Sequence, residues 1–84
     1  MSRELDKTDQ KLKEHIALRF IELRKQLGKN QTEMAYEVGT DKQNLNRLEK
    51  GRGATIYSIN RFCNTIGITL SQFFDSPLFK EGKK

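Results

Sequence analysis

Residues 31–50, QTEMAYEVGTDKQNLNRLEK, constrain the fold more than any other stretch, because they read as two short helices broken by one glycine. Met34, Ala35 and Val38 recur at the spacing of one helical face. Asn30, with Glu33 three residues on, makes a capping-box pattern that starts the helix near Gln31. Gly39 falls where a helix ends in a left-handed residue, and Thr40 or Asp41 then caps the next helix. The chain stops, turns and restarts within about three residues, which is the joint of a helix-turn-helix.

The second of these helices buries little. Leu45 and Leu48 form its apolar side, which turns Lys42, Gln43, Asn44, Asn46 and Arg47 away from the core. Lys and Arg match the acceptors of guanine, Asn and Gln can bond adenine twice, and a helix is the element that fits the major groove. A merely solvated face is more often filled with Glu and Lys than with amides, so this composition favours a surface that reads bases.

From Leu27 to Gly51 the chain resembles the DNA-binding core of the lambdoid phage repressor and Cro family, also called the Xre family of bacterial regulators. The matches are Asn30-Gln31 opening the first helix, Ala35 at the close crossing, Gly39 at the turn, and Leu45, Leu48, Glu49 and Gly51 closing the second helix. The resemblance covers roughly residues 10 to 74 and implies an all-α, compact five-helix lambda-repressor-like domain with its helix-turn-helix at helices 2 and 3. It further implies that Arg24 pairs with Glu49 as a structural ion pair. Gln31 is expected to brace the DNA backbone and the first recognition side chain, with Asn30 beside it on the backbone. Lys42 departs from the amides often found at its position, which bears on which base is read.

The loop after Leu48, EKGRGAT, has two glycines among basic residues. Lys50, Arg52, the N–H groups near Gly53, and Tyr57 are the candidates for sugar-phosphate contact, because backbone contacts fix register while base contacts read sequence. Gly51-Arg52-Gly53 is no nucleotide-binding loop, since no strand precedes it and no Walker or dinucleotide signature surrounds it.

On either side of this centre the pattern is helical. Leu12, Ile16, Phe20, Leu23 and Leu27, widened by Ile21, predict an amphipathic helix of about five turns from Asp9, ended by Gly28. Thr55 caps a fourth helix carrying Ile56, Ile59, Phe62, Cys63 and Ile66, and Gly67 ends it. Thr69 and Gln72 open a fifth, with Leu70 and Phe73 as inward anchors. The expected division is a flexible segment over 1–8, the domain over 9–75, and a tail over 76–84. In that tail Leu78 and Phe79, together with Phe74 just before it, serve either a dimer contact or the domain's own core. Arg3 and Lys7 stand beside Glu4 and Asp6, which makes a solvated N-terminal segment a better reading than a basic arm.

Composition narrows the partners. At 84 residues there is room for one small domain, and the net charge of +5 suits a polyanion or an anionic membrane surface. The fold decides for nucleic acid. With no apolar run long enough to span a bilayer and no signal-peptide pattern, the chain reads as cytoplasmic, bacterial or phage-derived. The single Cys63 offers neither an internal disulfide nor a zinc cluster and is expected to be a small buried hydrophobe. His15 has no second ligand at metal spacing and reads as a solvated or packing residue. No catalytic constellation, metal site or cofactor loop stands out, so the expectation is no enzyme.

The leading expectation is a sequence-specific double-stranded DNA-binding transcriptional regulator, a homodimeric repressor on a near-palindromic operator. The alternative is a protein-binding module on the same fold, such as an antitoxin holding a toxin, with Phe74, Leu78 and Phe79 as its partner surface. Nonspecific nucleic-acid binding is a third reading, for which the amide-rich helix is excessive.

Overall fold

The computed structural model describes residues 6–80. The expectations placed on residues 1–5 and on the last part of the tail, 81–84, lie outside that range. Five α-helices follow in order, α1 (Lys7–Gln26), α2 (Gln31–Val38), α3 (Lys42–Glu49), α4 (Ile56–Ile66) and α5 (Leu70–Phe73), and then a 3-10 turn over Pro77–Phe79.

Local chemistry fixes the helix starts. Each of α2, α4 and α5 carries a reciprocal capping box, from Asn30 with Glu33, Thr55 with Ser58 and Thr69 with Gln72. Between the two candidates at α3, Asp41 is the cap, its carboxylate accepting from Asn44 N at 2.7 Å. The first helix begins at Lys7 instead of Asp9, because Asp6 accepts the Asp9 N–H at 2.9 Å and so supplies a cap ahead of the apolar pattern. Gly39 closes α2 with φ +83°, which lets the Thr40 N–H reach back to Ala35 O at 2.9 Å and turns the chain into α3.

The core is built on three phenylalanines from three helices. Phe20 of α1 meets Phe62 of α4 and Phe73 of α5 edge-on, with ring centroids 4.9 and 5.3 Å away. Met34 and Ala35 of α2, Leu45 and Leu48 of α3, and Ile59 and Cys63 of α4 join Phe20 and Leu23 in one cluster. Burial raises the Cys63 thiol above its ordinary range.

The expected apolar stripe of α1 is only partly used. Phe20 and Leu23 are buried and Ile16 and Ile21 half-buried, whereas Leu12 and Leu27, at 48% and 44% exposed, lie beyond the ends of the core. Ile56, expected inside, sits exposed in the first turn of α4. In their place the helix buries Ala17 and Arg19. The Arg19 guanidinium crosses to the end of α5, where Nε donates to Phe73 O and Nη2 to Gln72 O at 2.8 Å, while Nη1 pairs with Glu22 at 2.9 Å. The last helix is therefore held to the first by charge-assisted bonds as well as by apolar contact.

The segment after Phe74 packs inward. Ser76 is buried and caps the 3-10 turn, and the half-buried Phe79 ring lies 5.0 Å from that of Phe74 and 6.4 Å from that of His15. These residues cover the domain's own core, one of the two roles expected for them.

Candidate nucleic-acid interface

Helix α3 is anchored on one side and open on the other. Leu45 and Leu48 enter the core, as does the last residue, Glu49. Its opposite face leaves Lys42, Gln43, Asn44 and Arg47 exposed. Four of the five expected base-reading side chains are thus exposed, Asn44 among them with its amide 2.7 Å from Thr40 Oγ1, and the fifth is not. Asn46 is half-buried, with Oδ1 accepting from Gln31 Nε2 at 3.1 Å. The spacing of Leu45 and Leu48 gives no sign of this, because a hydrogen bond from α2, not apolar burial, is what holds the side chain.

A polar network joins Leu45 and Leu48 in holding α3 against its neighbours. Arg24 of α1 donates through Nε to Glu49 Oε2 at 2.7 Å and through Nη2 to Oε1 at 3.1 Å, and its Nη1 takes Lys29 O at 3.0 Å. The side chains are 14% and 4% exposed, so this bidentate pair is largely removed from water. Gln31, the first residue of α2, adds a third donor to the carboxylate, Nε2 to Oε1 at 2.9 Å. Three helices therefore converge on Glu49. Among the side chains of α3, Gln31 donates to Asn46 and Glu49.

That geometry limits what Gln31 and Asn30 can offer a phosphate. Both hydrogens of the Gln31 amide are directed inward, to Asn46 and Glu49. Its backbone N–H remains, since the first turn of a helix has no intrahelical acceptor. Asn30 spends its side-chain oxygen on Glu33 N at 2.8 Å and its backbone N–H on Glu33 Oε1 at 2.9 Å, which leaves its side-chain NH₂.

The loop after α3 is shaped by two left-handed glycines. Gly51 (φ +83°) is buried where α1 crosses, and a Cβ there would stand 3.2 Å from Lys13 Cγ. Its N–H bonds Leu48 O at 3.0 Å, and the Arg52 N–H returns to Arg47 O at 2.8 Å, so the end of α3 is fully turned back. Gly53 (φ +74°) follows, and a Cβ on it would lie 4.0 Å from Arg47 Nη2. The loop thus places the exposed Lys50 and Arg52 beside the exposed edge of α3. Tyr57, 79% exposed, projects from the first turn of α4 on the far side of the same loop.

An exposed polar helix, anchored by a partner helix at a left-handed glycine turn and followed by a basic glycine loop, defines a helix-turn-helix DNA-binding regulator. Residues 20–73, nearly two thirds of the chain, match the family model described as helix-turn-helix, and the chain belongs to that Xre/Cro/C1-type family. No curated protein and no solved structure gives a significant match to the chain. Among the described residues no helix is long and apolar enough to cross a membrane, and no group of His, Cys, Asp and Glu forms a metal site.

Proposed function

We propose that this regulator is a sequence-specific repressor that binds a near-palindromic operator as a homodimer, with α3 in the major groove of each half-site. The observation that carries the reading is the division of α3, in which Leu45, Leu48 and Glu49 are buried while Lys42, Gln43, Asn44 and Arg47 are left without core contacts. In the complex these four side chains and Asn46 face base edges. Lys50, Arg52, the Gly53 N–H, Tyr57, Asn30 and the Gln31 backbone hold the sugar-phosphate strands on either side. Two copies related by a twofold axis would meet half-sites about one helical turn apart.

Selection of bound duplexes from a random pool at near-physiological salt tests this reading. The expected product is a palindromic motif, and Arg47→Ala should blur one symmetric position at a cost of about 1–3 kcal/mol. Lys50→Ala or Arg52→Ala should instead weaken all sequences alike and lower the salt slope by about one unit. Identical behaviour of all three variants would remove the division into base readers and phosphate clamps. An unselective binder whose affinity vanishes with salt would remove sequence-specific repression altogether.

A further inference from the structure

We propose that Asn46 reads DNA as a hydrogen-bond donor only, because a relay running from Arg24 through Glu49 and Gln31 locks its amide in one orientation. This rests on α3 being the helix that enters the groove.

The orientation follows from chemistry at each link. A carboxylate accepts and cannot donate, and Glu49 is the carboxylate that Arg24 grips with two bonds of 2.7 and 3.1 Å. The Gln31 atom 2.9 Å from Glu49 Oε1 must then be its NH₂ and not its carbonyl. That same NH₂ lies 3.1 Å from the Asn46 amide, so the Asn46 atom facing it must be the oxygen. Asn46 Nδ2 is left on the far side of the amide, with no acceptor among the described residues. Turning the Asn46 amide over would set its NH₂ against the NH₂ of Gln31, and turning Gln31 to relieve that would set a carbonyl against Glu49.

Asn44 provides the contrast. Its Nδ2 lies 2.7 Å from Thr40 Oγ1, but a hydroxyl can donate as well as accept, so nothing fixes which end of that amide faces out. Of the two asparagines on α3, only Asn46 has its polarity set by a charge.

The consequence concerns base choice. Pairing Asn with adenine requires the oxygen and the nitrogen of the amide to meet the base edge together, taking the N6 hydrogen and bonding N7. Asn46 has turned its oxygen back to α2. A lone outward donor suits guanine best, which offers both O6 and N7, can still reach adenine N7 or thymine O4, and is repelled by the N4 amino group of cytosine, the one base with no acceptor in the major groove. Gln31 is the positioning residue in this scheme, acting on the base through Asn46.

Duplex selection with Asn46→Ala first identifies the position that Asn46 reads, as the one whose preference fades. With the unaltered chain guanine is expected to be favoured most there and cytosine least. Asn46→Asp keeps one oxygen on Gln31 and turns the other outward, so cytosine should gain over guanine, with a reversal on the order of tenfold at that position alone. Gln31→Ala frees the amide to turn its oxygen outward, and the discrimination against cytosine should fade at the same position. Cytosine at that position with the unaltered chain, or a motif indifferent to both Asn46 variants, would overturn the donor-only assignment while leaving groove binding intact. No motif from the unaltered chain would overturn groove reading and this inference with it. Nuclear magnetic resonance of the DNA-free protein gives an independent reading. Both Gln31 side-chain amide protons should be protected from solvent exchange and those of Asn46 should exchange as exposed amides, and the reverse pattern would overturn the relay.

Discussion

Arg24 and Glu49 show how much one buried pair can decide. With Glu49 only 4% exposed, Arg24→Ala would leave a carboxylate inside the domain with Gln31 as its one remaining donor. The expected cost is about 3–5 kcal/mol, a large share of what a domain of this size has to lose. Replacing both residues with apolar ones of similar volume removes the charges together and should cost less than either single change. Urea midpoints of the two single variants and the double variant check this, and additive losses would mean that the pair is not coupled. The pair was legible in sequence only through the family resemblance, since Arg24 and Glu49 stand 25 residues apart with no local signal joining them. The bond from Gln31 to Asn46 is unreadable for a related reason, because hydrophobic spacing counts leucines and does not register an amide held by a hydrogen bond from another helix.

At the scale of elements, caps and turns were the most readable features because they are local. The Asn30 and Thr69 boxes, the Thr55 cap and the Gly39 turn each involve residues within a few positions of one another and form as the sequence pattern indicates, with Ser58 completing a box at Thr55 that the pattern did not single out. The end of α5 was not readable, because its support comes from Arg19, more than fifty residues away in the chain. An arginine next to Phe20 on the core side of α1 was the available signal, since a charge there needs buried acceptors. Arg19→Met keeps much of the aliphatic stem and removes the donors to Phe73 O and Gln72 O. A loss of about 2 kcal/mol is expected, from two charge-assisted bonds partly replaced by water. Hydrogen exchange should report the loss locally, with amides of 70–80 opening well before those of α2 and α3. Uniform acceleration across the domain would show that α5 is no separable unit.

The whole molecule joins the tail to the question of assembly. Phe79 and Phe74 are half-buried against the core, yet the cleft they form with the start of α1 stays open, a space of about 490 Å³ lined by Leu12, His15 and Leu78 among others. Intrachain cover and dimer contact are therefore compatible uses of one surface, and they separate by concentration. Deleting residues after Asp75 should lower the stability of the monomer by about 1–2 kcal/mol, the burial of part of a phenylalanine and a leucine. If two copies also meet there, the urea midpoint of the full chain should rise with protein concentration, because association stabilises the folded state by mass action. The truncated chain would then show a lower midpoint that no longer depends on concentration. A full chain whose midpoint is the same at one and one hundred micromolar would assign the tail to its own core alone. The twofold pairing of recognition helices would then have to arise on the operator itself, each monomer being positioned by its half-site.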